Sequence, residues 1–286
     1  MPSDSTRRRL LGLVGSAATV SFAGCATIAE EFSAGESTPT AGPDAGTRAA
    51  GTATGGTTTA NDSDQVSGPG DATGTAAEDG SWSTESVTID DPDVSFSGVP
   101  LPKDRSGYAR MGAPDASATA TLYGNWKCPY TQEFVLTKLP KVVDEFVRPG
   151  ELTLEFRALA YLSGEPFLGP DAPRAAGAGL AVWDLDPESY WSYFAHVFAN
   201  QPQERHDWAQ PSLLRRFAEA SGVAGRAQFA RALRSGSYDG LVRSTTRAAA
   251  DRGINTVPRI VADGRVTAPT VDFEETRAQL RSAVQG

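Results

Sequence analysis

Residues 26 to 90 can contribute almost nothing to a core, and this most limits what the chain can fold into. The run Gly-Thr-Ala-Thr-Gly-Gly-Thr-Thr-Thr-Ala at 51–60 is typical of the stretch: aromatics are almost absent and no apolar period runs through it. Such a segment cannot bury enough apolar surface to offset its ordering entropy, so residues 25–90 are expected to form a disordered spacer. Charge is divided in the same way. The chain carries −9 overall, of which residues 25–90, with eleven acidic and one basic residue, hold −10. Such a spacer repels itself and extends. The remainder, 91–286, is near neutral and long enough for one well-packed domain. It has no basic patch interleaved with aromatics, so nucleic acid is not an expected partner. Asn61-Asp62-Ser63, inside the spacer, has the pattern of an N-glycosylation acceptor.

Residues 1–24 read as an address. Arg7 and Arg8 precede an apolar run from Leu10 to Ala23, the layout of a twin-arginine (Tat) export signal. The run is short of the ~20 residues needed to cross a bilayer. Phe22-Ala23-Gly24-Cys25 resembles a lipobox, which implies that Cys25 becomes a lipidated N-terminus on the outer face of the cytoplasmic membrane. Cys128 would then be the one free thiol, and no internal disulfide could form.

Within 91–286, Ala118–Tyr123 reads as a short strand. Phe134, Val135, Leu139, Val142, Val143 and Phe146 recur at helical spacing over 129–147, with Pro140 expected to kink that helix. Leu152, Leu154 and Phe156 alternate with polar residues, as in a half-buried strand. Residues 171–252 are helical by pattern, and their aromatics, such as Trp183, Trp191 and Phe194, are expected in the core. Val257–Ala262 and Arg265–Thr267 read as a hairpin turning at Asp263-Gly264, and Val271–Val284 as a closing amphipathic helix. The order predicts an α/β fold with an all-helical insertion at about 165–252.

With Cys128-Pro129-Tyr130 at the head of its first helix, this order resembles the DsbA-like branch of the thioredoxin fold. Gly112-Ala113-Pro114-Asp115-Ala116 before the first strand, the helical block, and Thr256-Val257-Pro258 followed by Asp263-Gly264 all fit that resemblance, over about 110–286. It implies thiol–disulfide chemistry on exported proteins and a cis peptide at Val257-Pro258. Two residues depart from the pattern. Thr131 stands where the family has its second, resolving cysteine, and Asn125 where many relatives carry aspartate.

A thiol at a helix N-terminus faces unpaired N–H groups and the positive end of the dipole, which favour thiolate. Pro129 at the first helical position forfeits no hydrogen bond. Thr131, about one turn on, is expected to reach the Cys128 sulfur, and Lys127 to add positive charge if its side chain points that way. Pro129, Tyr130, Trp126, Val257 and Pro258 are expected to line the substrate groove, with simple packing weighed as the alternative for Trp126 and Tyr130. Without a resolving cysteine, and with Cys25 lipidated, the chain cannot store a disulfide. The expected function is therefore a monothiol oxidoreductase or isomerase served by an external thiol. The rival is a redox-inactive binding module, because a lone cysteine is often a buried small hydrophobe. His196 and His206 are the only histidines and lack ligand spacing to Cys128, so no metal or cofactor is expected, and no Gly-x-Ser-x-Gly elbow marks a hydrolase.

Overall fold

The computed structural model describes residues 82–286. The expected signal segment with Arg7 and Arg8, the lipidation site Cys25, Asn61 and the spacer up to residue 81 lie outside the described residues.

Five strands form the central sheet in the order β1-β3-β2-β6-β7, where β1 is Arg110–Met111, β2 Ala118–Gly124, β3 Leu152–Ala158, β6 Arg259–Ala262 and β7 Arg265–Thr267. β2 and β3 run parallel, with Leu122 opposite Phe156, and the other pairs are antiparallel. The β2–β3 crossover contains α1 (Pro129–Thr137), α2 (Leu139–Val142) and a π-helical turn (Val143–Val147). The expected interruption thus falls at Lys138, two residues ahead of Pro140. A proline inside a helix would clash with the carbonyl four residues back. Restarting the helix at Leu139 puts Pro140 in a first turn, where its missing N–H is not needed.

After β3, a small hairpin of β4 (Tyr161–Leu162) and β5 (Glu165–Pro166) leads into five helices: α3 (Ala172–Leu185), α4 (Pro187–Asn200), α5 (Pro211–Ala220), α6 (Arg226–Ser235) and α7 (Asp239–Ala250). Their apolar faces join the sheet in one core, in which Phe156 of β3 meets Phe194 and Phe198 of α4. The β6–β7 turn has Asp263 and Gly264 both at positive φ, 47° and 70°, the signature of a type I′ turn. α8 (Phe273–Gln285) begins two residues later than its periodicity suggests, because the Asp272 carboxylate caps it by accepting from the Glu275 amide at 2.8 Å.

Residues 82–90, read from composition as the end of the spacer, are docked on the helical block. Arg216 of α5 donates to the carbonyls of Thr84 (3.0 Å) and Val87 (2.5 Å). Asn200 and the Asp90 backbone exchange hydrogen bonds at 2.8 and 2.9 Å, and Trp82 stacks on His206 with ring centroids 4.4 Å apart. Val87 and Ile89 also pack, partly buried, against the core, but two apolar residues are too few to set a period, so apolar periodicity could not announce this docking. Among the described residues no helix is long and apolar enough to cross a membrane.

A candidate thiol site at the head of the first helix

Cys128 is the N-cap of α1. Its backbone is extended, its carbonyl accepts the first helical hydrogen bond from Gln132 at 3.0 Å, and Pro129 follows at the first helical position. The sulfur therefore sits at the end of the helix where amides lack intrahelical partners. Across from it, in the loop entering β6, the Val257–Pro258 peptide is cis, and Cys128 Sγ donates to Val257 O at 3.7 Å. Cys128, Val257, Tyr123, Leu159, Ala249 and Ile254 form a small apolar cluster apart from the main core.

Cys128 is only 4% exposed, and that exposure opens into a groove of about 570 Å³. Pro129, Tyr130 and Glu133 of α1, the pair Phe167 and Leu168, Glu204, and Thr256, Val257, Arg259, Thr270 and Val271 line the rest. Tyr130 and Val271 project into solvent, 63% and 83% exposed. Of the residues expected around the sulfur, Pro129, Tyr130 and Val257 line this groove, and Pro258 is buried behind Val257.

Trp126 does not line it. The indole is 2% exposed, stacks on Phe198 at 5.2 Å and meets Phe156, Tyr193 and Phe194 edge-on. It also packs against Gly179 of α3, where a Cβ would come within 2.6 Å of the ring. The turn after β2 swings its side chain inward, so Trp126 is a core residue that ties the site to the insertion. Lys127 is likewise turned away from the sulfur. Its ammonium is fully buried, paired with the Asp171 carboxylate and bonded to the His206 carbonyl at 3.0 Å. Asp171 also accepts from the Ala209 amide at 2.7 Å. The charge that was expected to favour thiolate is thus neutralised inside the domain. Thr131 is buried, and its hydroxyl accepts from the Asn125 amide at 3.3 Å, an interaction directed to the end of β2 instead of to Sγ.

Asn125 organises the turn that presents Cys128. Its side-chain oxygen accepts from the Lys127 amide at 2.7 Å, while its NH2 donates to the carbonyls of Leu159 (2.8 Å) and Phe167 (3.0 Å). One buried amide therefore fixes both the approach to Cys128 and the two ends of the 159–167 loop that supplies Phe167 to the groove. A carboxylate could not donate to either carbonyl. The sequence marked Asn125 only as a departure from a pattern. Asp171 and the groove residues Phe167, Leu168 and Glu204 gave no periodic signal, although the apolar pair Phe167-Leu168 before Gly169-Pro170 is a local hint. Of the two histidines, His206 stacks on Trp82 and lies partly buried near Arg205 and Lys127. Desolvation first and those two cations second hold its imidazole below the usual histidine range. His196 is buried in α4, with Nδ1 on the Ser192 carbonyl at 2.8 Å.

A β-α-β unit with its sulfur at the helix head, a cis-proline loop facing that sulfur and a helical insertion before the closing hairpin define a DsbA-like thioredoxin-fold protein. The thioredoxin family model Thioredoxin_4 matches residues 105–282, and the chain belongs to that family. Disulfide bond formation protein D of Bacillus subtilis is 25% identical over 180 residues, which span 63% of this chain and 78% of that one. The crystal structure of oxidised BdbD from Bacillus subtilis superposes with a TM-score of 0.57 at 23% identity, covering 66% of this chain and all of that one. Chlamydia trachomatis DsbA does so at 0.52 and 20% identity, covering 64% and 94%.

Proposed function

We propose that the chain is an exported, membrane-tethered monothiol oxidoreductase or isomerase acting on protein disulfides through a mixed disulfide at Cys128. The observation that carries this reading is a thiol at a helix N-terminus, 3.7 Å from the Val257 carbonyl, on the wall of an open groove. The names of the relatives, disulfide bond formation protein D and DsbA, support the same class of chemistry.

In this mechanism the Cys128 thiolate attacks one sulfur of a substrate disulfide, and the other sulfur leaves as thiolate. The S–H bond to Val257 O is one that the thiol makes and the thiolate cannot. Deprotonation therefore frees that carbonyl for the amide of an extended substrate strand. Thr131 has no sulfur to complete a second exchange, so an external thiol or the substrate's own second thiol must release the product. Reshuffling and assisted reduction are within reach, and donation of a stored disulfide is not. The twin arginines Arg7 and Arg8 and the lipobox-like Cys25 support export and a lipid tether to the outer face of the membrane, and Asn61 is a candidate glycosylation site in the spacer. The partners are exported proteins that carry disulfides or thiols.

A second reading, a thioredoxin-fold binding module without redox activity, draws on the 4% exposure of Cys128 and on Thr131 in the resolving position. Recovery of a scrambled disulfide-bonded model protein separates the two. The proposal expects the chain to accelerate recovery and Cys128→Ala to abolish the effect. Equal recovery with Cys128→Ala favours the binding module.

A further inference from the structure

With no cysteine at the resolving position, a Cys128 mixed disulfide that the substrate's own thiol does not release must be opened by an external thiol, and the identity of that thiol matters only if the monothiol reading holds. The groove lining carries both signs of charge. Glu133 on α1 and Glu204 in the segment before α5 are exposed carboxylates on its lining, and Glu133 has only a loose contact of 3.8 Å with Lys138. Arg259, half-buried at the start of β6, lines the groove beside Val257. Its guanidinium donates to Pro258 O at 2.8 Å and to Thr256 Oγ1 at 2.5 Å. Both acceptors are uncharged oxygens of its own loop, so the side chain is held in place and no carboxylate among the described residues pairs with it. Phe167, Leu168 and Val271 give the same groove an apolar lining.

We infer that the thiol opening the mixed disulfide is a small zwitterionic amino-acid thiol of the class of cysteine. Its carboxylate sits at Arg259 and its ammonium at Glu133 and Glu204. The incoming thiolate attacks the substrate sulfur, because the Cys128 sulfur is buried. A new bond forms between the small thiol and the substrate, the Cys128–substrate bond breaks, and Cys128 leaves as thiolate. The exchange conserves charge and sulfur oxidation state: one thiolate enters and one leaves. Each exposed charge contact is worth about two- to five-fold in rate.

The test uses the full chain with Cys25→Ser, its Cys128 joined by a disulfide to a fluorescent single-cysteine peptide. Release is timed with cysteine, mercaptopropionate, mercaptoethylamine and mercaptoethanol. Each rate is normalised to that thiol's rate on the same peptide joined to an unstructured cysteine peptide. Cysteine is expected to lead the normalised series. Arg259→Gln is expected to cut the advantage of the two carboxylate thiols about two- to five-fold, with Arg259→Lys retaining it. Glu204→Gln, at an exposed position that leaves the Thr256–Arg259 loop untouched, is expected to do the same for the two ammonium thiols. Equal normalised rates for all four thiols, or a ranking that survives both charge-removing variants, overturns the inference alone. Failure of the peptide disulfide to form overturns the monothiol reading together with it.

Discussion

Cys128 and Val257 lie 129 residues apart in the chain and meet at 3.7 Å, thiol to carbonyl, across the mouth of one groove. The contact joins the head of α1 to the loop before β6, and sheet register makes it possible: Tyr123, five residues before Cys128, pairs with Arg259, two residues after Val257. The sulfur's setting is therefore a property of the assembled sheet, and under the proposed function the residue at position 131 decides which half of the exchange the chain can perform.

Thr131→Cys, made in the chain with Cys25→Ser, is expected to restore a dithiol. Position 131 is buried on the first turn of α1, three residues from Cys128, and cysteine nearly matches threonine in volume. Loss of the hydrogen bond from the Asn125 amide costs about 0.5–1.5 kcal/mol, which the fold is expected to tolerate. Thiol titration should then count two thiols after reduction and none after mild oxidation, and the oxidised form should gain oxidase activity on a reduced substrate. A variant that keeps two free thiols under oxidant would contradict this geometry.

Asn125→Asp, the exchange toward the aspartate that the family resemblance implies, is expected to harm this chain. The carboxylate would face the Leu159 and Phe167 carbonyls without a proton to offer either. Each buried carbonyl left unpaired costs about 1–3 kcal/mol. Urea unfolding should show a loss of that order or more, with hydrogen exchange rising first in residues 159–167. An unchanged midpoint would show that Asn125 does not staple that loop.

These two positions show how much of the molecule its sequence reveals. The strand, helix and strand from β2 to β3, the helical block and the closing hairpin and helix were legible, because alternation in Leu152–Phe156, the helical spacing of Phe134–Phe146 and the Asp263-Gly264 turn are local patterns tied to backbone period; the two-residue strands β1, β4 and β5 are too short to show one. The cysteine was legible because it heads a helix after a strand. The support around it was not. Trp126 and Lys127 are the two residues before Cys128 in sequence, yet one fills the core and the other is neutralised by Asp171, 44 residues away. Side-chain direction in an irregular turn follows no period. The docking of 82–90 rests on backbone carbonyls, one stacked ring and the two partly buried side chains Val87 and Ile89, which composition cannot report.

Lys127 and Asp171 should behave as a coupled pair. Removing one partner of a buried ion pair costs about 3–5 kcal/mol, since the other charge is left unpaired. Lys127→Met alone is expected to fall in that range. Lys127→Met with Asp171→Asn should recover much of the loss, because the substituted side chain keeps an oxygen that can accept from the Ala209 amide. A double-mutant cycle in urea measures the coupling, and additive losses would count against it.

Glu145 links the π-helical turn to α8 through Arg277 (2.7 Å) and Arg281 (2.8 Å). Burial pulls its carboxyl upward, but the two guanidinium groups outweigh this and hold it below the usual glutamate range. A carboxylate depressed in the folded state contributes stability above its unfolded value of about 4.3. That contribution is lost as pH falls through the lower folded value. The melting-temperature gap between the parent chain and Glu145→Gln should therefore be full near neutrality and shrink in acid. A gap independent of pH would remove Glu145 from the acid response.

The central claim, that Cys128 is a nucleophile toward protein disulfides, is tested most directly by intact mass. The chain with Cys25→Ser is mixed with a peptide containing a strained disulfide, quenched in acid and weighed. The monothiol mechanism predicts an adduct of one peptide on Cys128 that a small thiol removes and that Cys128→Ser never forms. A chain that stays at its own mass, with Cys128 unmodified while the peptide disulfide is intact and in excess, would contradict that mechanism and leave the fold as a binding surface.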